Sequence, residues 1–253
     1  MVQPRIVLFG DSHVHAIQEA VRHRVNRRAN VPVEVRRLFK EKNGKTLGDT
    51  PFDGILEVGA SLSSNDVMVS VIGGNQHAVF STIQHPQPFD FLLPGDDPAE
   101  LMEGQAVLPY RALYDYFSSG IRGGDAKSIE ALRASTQARM IHLAAPPPKG
   151  DNSFIENYHD TRFAEENIAS LGISPPTLRM KFWRLQNRII GELCAKIGIE
   201  LMMPPTEAVD ADGFLKAECF ANDATHANDN YGELVLQQLE LALIGRSRPV
   251  KVA

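Results

Sequence analysis

An α/β protein with a parallel sheet covered on both faces is what this chain predicts, from three observations. Strand-like apolar runs recur at wide intervals along its 253 residues. Amphipathic helical patterns stand between them, and that alternation is the signature of strands joined by crossover helices. Four of the five runs are nearly continuous in apolar residues, as strands buried on both faces require.

The runs are Ile6–Phe9, Val33–Leu38, Val67–Ile72, Arg139–Ala144 and Ile199–Met203. The second carries Glu34, Arg36 and Arg37 and suits an edge. Helical spacing is found over His13–Arg28, with Val14, Ile17, Val21 and Val25 three and four apart. Weaker patterns cover Pro98–Phe117 and Ala126–Ala138. A clean stripe of Leu178, Phe182, Leu185, Ile189 and Leu193 is entered through Pro175-Pro176 and stopped by Gly198. A last helix is expected from about Asn230 to Leu243, with Tyr231, Leu234, Val235, Leu239 and Ala242 on one face. Two segments, 76–125 and 146–176, have little periodicity and read as elaborated loops with short helices. Both follow candidate strands, on the side where open α/β sheets place ligands.

Composition narrows the function. Apolar residues make up 43% and charged residues 23%, with a net charge of −5. These values exclude a disordered chain, and a mildly acidic balance with no long basic run gives no footprint for nucleic acid. No stretch approaches the roughly 18–20 consecutive apolar residues of a membrane span. Cys194 and Cys219 lack CxxC spacing and read as two reduced thiols, one on a helix and one in a loop. The apolar run after Arg5 is too short for a signal peptide, so a cytoplasmic location is expected.

Chemistry-bearing residues gather at the ends of the runs. The first ends in Gly10-Asp11-Ser12-His13, with a helix to follow. A serine at that junction sits near helix N–H groups that stabilise negative charge, or it caps the helix. The third run ends in Gly73-Gly74-Asn75, where an asparagine can aim a side-chain N–H into the same cleft or simply make a turn. Between them, Leu47-Gly48-Asp49-Thr50 offers a bare backbone N–H. Near the C-terminus, Asp223-Ala-Thr-His226 places a carboxylate and an imidazole on one turn, where the first can fix the tautomer of the second.

In this order the blocks resemble those of the SGNH hydrolases, the GDSL-like esterases. That family has Gly-Asp-Ser after the first strand, a Gly after the second, Gly-x-Asn after the third and a late Asp-x-x-His. Asn228 and Gly232 also suit its final block. The resemblance implies a flavodoxin-like strand order in one three-layer α/β/α domain over 1–253, around a central parallel sheet of about five strands. It also implies a carboxylic ester hydrolase with Ser12 as nucleophile, His226 as base and Asp223 as its orienter. The Ser12 and Gly48 backbone N–H groups and the Asn75 side chain would form the oxyanion hole, with Gly44 a rival to Gly48. His13 stands where the family often has leucine, and Gln76 where it often has Asp.

No cofactor or metal is expected. The partner expected is a small-molecule ester, with no nucleic acid or membrane, and the sequence leaves the oligomeric state open. An acetylated sugar is preferred over a lipid. Two other readings stand beside this one. The fold could keep its cleft as a non-catalytic binding module. Asp11-x-His13, Gly48-Asp49 and Asn75 with His77 also echo metallophosphoesterases, though the late Gly-His-x-His of that class is absent. Of the remaining histidines, His77 is placed to line the pocket, His142 reads as a satisfied core residue, His15 as helix surface, and His85 and His159 as loop residues. Arg22, Arg24, Arg27 and Arg28 read as a solvated helix face, and Phe182 and Trp183 as core.

Overall fold

The computed structural model describes residues 4–24, 31–42, 44–159, 163 and 168–244. Its centre follows from side-chain alternation. Ile6–Gly10 (β1) is buried throughout, with Ile6 and Leu8 in one core and Val7 and Phe9 in the other. Val33–Arg37 (β2) is half-exposed along its length, as its charged residues predict. Lys40–Lys42 (β3) and Lys45–Leu47 (β4) form an antiparallel hairpin. Val67–Val71 (β5) is buried at every residue. Phe89–Asp90 (β6) and Ala106–Val107 (β7) make a two-residue parallel ladder. Arg139–Leu143 (β8) and Glu200–Met202 (β9) complete the set.

The main sheet is parallel, in the order β2-β1-β5-β8-β9. Ile6 lies opposite both Val33 and Val67, and Val67 opposite Arg139. The helices in chain order are Val14–His23 (α1), Phe52–Ser61 (α2), Gln76–Ser81 (α3), Tyr110–Gly123 (α4), Asp125–Ser135 (α5), Asn152–Asn157 (α6), Ile168–Leu171 (α7), Pro176–Lys196 (α8) and Asp229–Ile244 (α9). One face of the sheet is closed by α1 and α9 through Val14, Ile17, Tyr231, Val235 and Leu239. The other is closed by α2, α4, α5 and α8 through Ile55, Phe117, Ile129, Phe182 and Leu185. Each face removes a continuous apolar layer from water, and this is the main force holding the three layers together.

The structure corrects several boundaries. The helix expected over Pro98–Phe117 is a short 3₁₀ turn at Pro98–Glu100, then β7, then α4. Asp97 caps the turn, Gly104 takes a positive φ of 76°, and Pro109 starts α4, so three local signals divide what looked like one period. The 76–125 segment thus holds a fourteen-residue helix rather than loops with short helices alone. The first helix spans Val14–His23, and Val25, Arg27 and Arg28 lie outside the described residues. Arg24 is not on a solvated face. It pairs with Glu233 and Glu240, tying α1 to α9. Among the described residues no helix is long and apolar enough to cross a membrane.

Candidate active site

The carboxyl ends of adjacent parallel strands present neighbouring loops, and here they bring three of the blocks together. β1 ends at Gly10, which lies opposite Val71 of β5 and Arg37 of β2. A tight turn does not explain this glycine. A Cβ on it would stand 2.7 Å from the Val71 carbonyl oxygen, so only a bare Cα lets the strands approach.

Ser12 follows in a turn and is exposed. Helix α1 begins two residues later with His13, not Ser12, at its N-cap. The Ser12 carbonyl accepts from the His15 N–H at 3.1 Å, so the backbone starts the helix without using the serine hydroxyl. Asp11 fastens this turn to its neighbours: one carboxylate oxygen lies 2.7 Å from Lys40 Nζ on β3, and the other accepts from the Gly73 N–H at 3.4 Å.

Gly48 and Gly44 are separated by the β3–β4 hairpin. Gly44, with φ of 71°, is its turn and has open space around it. Gly48, with φ of 78°, lies against the backbone of Leu38, where a Cβ would overlap the carbonyl. Leu38 in turn donates its N–H to Gly10 at 2.9 Å. Gly48 therefore stands beside the end of β1, and Gly44 at the far end of the hairpin.

Asn75 is exposed at the N-cap of α3, yet its side chain makes no cap hydrogen bond. Its amide is not spent on the turn. The loop behind it is held by Gln186 of α8, which donates to the Gly74 carbonyl and accepts from the His77 N–H, both at 2.9 Å. His77 is buried and bonds the Gly74 carbonyl through Nδ1 at 3.0 Å. Burial holds its pKa down at about 4.

The fourth block is formed as its spacing implies. His226 Nδ1 lies 2.9 Å from Asp223 Oδ2, while Asp223 Oδ1 accepts from the backbone N–H groups of Thr225 and His226 at 2.8 and 2.7 Å. Burial alone would raise the Asp223 carboxyl. The His226 hydrogen bond and charge and the two N–H groups outweigh it and hold the carboxyl well below its ordinary range. Asn228 is spent on structure: its side-chain oxygen accepts from the Asn230 and Tyr231 N–H groups at the start of α9.

His13 joins the two halves. Its ring centroid is 5.0 Å from that of His226. It is buried with both ring nitrogens unbonded, and burial followed by the charges of His226 and His77 keeps its pKa down at about 3. His226 Nε2 is also buried without a hydrogen-bond partner, so no bond joins it to the Ser12 hydroxyl in this arrangement.

The remaining expectations sort plainly. His142 is a core residue bonded to Ser70 Oγ at 3.2 Å. His15 and His85 are exposed, and His159 is half-buried. Phe182 is core, and Trp183 is buried with its indole N–H on the Ala145 carbonyl at 3.0 Å. Both cysteines are free and buried. Among the described residues no three His, Cys, Asp or Glu side chains gather as a metal would require.

The parallel order β2-β1-β5-β8-β9, with Ser12 and Asn75 beyond the carboxyl ends of β1 and β5 and the His226 ring packed on that of His13, decides the architecture. The fold is a three-layer α/β/α sandwich around a five-stranded parallel sheet. No family model matches the chain, and no curated protein matches it in sequence. Among solved structures, a carbohydrate acetylesterase from Sinorhizobium meliloti is 11% identical, with 96% of this chain and 100% of that one covered and a TM-score of 0.47. The native aryl esterase of M. smegmatis is also 11% identical, covering 96% and 99%, with a TM-score of 0.45. A GDSL-like lipase from Bacteroides thetaiotaomicron VPI-5482 is 13% identical, covering 97% and 93%, with a TM-score of 0.44. At such identities the chemistry of this chain is read from its own residues.

Proposed function

We propose that this protein is a serine ester hydrolase of the SGNH type, with Ser12, His226 and Asp223 as its catalytic residues. One observation carries the reading: the Asp223–His226 pair, bonded at 2.9 Å, packs its imidazole 5.0 Å from the ring of the residue next to Ser12. A carboxylate fixes the Nδ1–H tautomer, which leaves Nε2 free to accept a proton.

The steps follow from these roles. Ser12 Oγ attacks the ester carbonyl as His226 Nε2 takes its proton. The carbonyl oxygen becomes an oxyanion, met by the Ser12 and Gly48 N–H groups and the Asn75 amide. Collapse expels the alcohol, which leaves with the proton from His226. Water, deprotonated by His226, then attacks the acyl-serine, releasing the acid and restoring Ser12. The mechanism requires a Ser12–His226 hydrogen bond to close when substrate binds, and such bonds are often unmade in a free enzyme. Of the possible acyl groups we favour a short one such as acetyl on a sugar, because the described residues include no long apolar lid to cover a lipid.

A series of chromogenic esters of increasing acyl length, assayed with and without EDTA, tests this. Hydrolysis is expected, fastest for short acyl groups and unchanged by chelation. Activity lost in EDTA and restored by manganese or zinc would replace it with a phosphoesterase-like mechanism. Asn75→Ala is expected to lower kcat by about 10²–10³ while moving KM little, because a donor tightening on the oxyanion acts in the transition state. An effect confined to KM would make Asn75 a ground-state substrate contact instead.

A further inference from the structure

The Asp223–His226 turn rests on a buried cation that the mechanism does not use. Lys149 follows β8 through Pro146-Pro147-Pro148, and its side chain is 0% exposed. Nζ donates to the Ala221 carbonyl at 2.6 Å and to the Asp223 carbonyl, and stands 4.0 Å from Asp223 Oδ1. The rings of Phe154 on α6 and Phe220 pack on it with centroids 4.7 and 4.9 Å away. Its own carbonyl is gripped by Arg179 of α8, which also bonds Asn152.

We propose that Lys149 is a positioning residue of this enzyme: its ammonium holds the turn that carries Asp223 and His226 in the geometry the base requires. This rests on the hydrolase reading. Within the turn, the Ala221 carbonyl also accepts the Asp223 N–H at 2.8 Å, and the Ala221 N–H donates to the His226 carbonyl at 3.1 Å. Ala221 and Asp223 turn their carbonyl oxygens inward, and an ammonium with three donors can satisfy both while lying beside the carboxylate. A methionine would fill the aromatic cage without the cost of burying a charge, and fold stability alone favours such exchanges. What the apolar side chain cannot do is hold two carbonyls of the catalytic turn.

The charge makes the device sensitive to pH. The groups facing Lys149 are Asp223 in the turn, Arg179 from α8, and His77 from α3, which lines the same small cavity with Thr225. Burial pulls the Lys149 pKa from 10.5 down to about 8, against the opposing pull of Asp223. Between those two values the unfolded chain binds the proton and the folded one does not. Over that window this group therefore makes the fold more stable as pH rises. A loss of activity expected in that window is therefore local and not a consequence of unfolding through this group.

The test compares wild type, Lys149→Met and Lys149→Gln by kcat and KM on an activated ester across pH 6–10. Thermal unfolding and the low-field NMR signal of the His226 Nδ1 proton are followed alongside. Wild-type kcat is expected to fall above pH about 8 with no drop in melting temperature. Lys149→Met is expected to lose about 10–100-fold in kcat at pH 7 with KM little changed, to lack the alkaline fall, and to lose or shift the His226 signal. Lys149→Gln, which keeps a donor, should recover part of the loss. A methionine variant with wild-type kcat overturns the proposal, as does one that is slower yet keeps the alkaline fall. If Lys149→Met does not fold, a wild-type kcat that stays flat from pH 7 to 10 overturns it equally. If the wild type hydrolyses no ester, the hydrolase reading fails on its own. The NMR signal then decides: loss in the variant upholds the positioning of His226, and an unchanged signal overturns it.

Discussion

Ser12→Ala is expected to remove nearly all ester hydrolysis, on the order of 10⁵–10⁶ in kcat, and to leave the protein as stable as before. The size follows from the role. Without Oγ no acyl-serine forms, and what remains is the attack of water in a site that still binds ester and still offers oxyanion donors. The stability half follows from position. Ser12 is exposed in a turn, and the N-cap of α1 belongs to His13. Removing its hydroxyl empties no core and breaks no cap, so the change in unfolding free energy should stay within about 0.5 kcal/mol. Turnover and a thermal melt measured on one preparation check both halves. A variant that keeps most of its turnover removes Ser12 from the mechanism.

His226→Ala is expected to approach the same loss, and Asp223→Ala to be milder, at about 10⁴. His226 is the proton acceptor, and no neighbour replaces it: His13 is held neutral but buried with neither nitrogen bonded, and His77 is tied to the Gly74 carbonyl. Asp223 acts through the imidazole. It fixes the tautomer at 2.9 Å and also accepts the Thr225 and His226 N–H groups, so its loss loosens the turn as well as the ring. The imidazole itself remains. Rates of the two variants on one activated ester check the ranking. Equal loss would make the orienter indispensable, and a His226→Ala variant with wild-type rate would move the search for the base to His13 or His77.

What the sequence makes legible here is what local physics decides. β1, β5 and β8 are buried on both faces, and burial of that kind writes itself as continuous apolar runs. Helices α8 and α9 carry full apolar stripes. Asp223 and His226 can be paired from sequence because three residues span one turn. By contrast, α2 escapes because Gly54 and Gly59 interrupt its period, and α3 because six residues are too few to show one. The choice between Gly44 and Gly48 needs the hairpin, since only pairing shows which glycine is the tip. Lys149 leaves no sequence signal at all. Its partners Ala221 and Asp223 lie 72 and 74 residues away, and a lysine after three prolines reads as surface. His13 stands out only as a departure from the family's leucine, and its packing on His226 is a tertiary fact.

The identity of the nucleophile is tested most directly by reacting the wild-type protein with a fluorophosphonate and locating the adduct by peptide mass spectrometry. A single adduct on Ser12 is expected, absent in Ser12→Ala and formed much more slowly in His226→Ala. A protein that hydrolyses esters while its adduct falls on another residue, or one that forms no adduct at all, would contradict the assignment of Ser12 as an activated nucleophile.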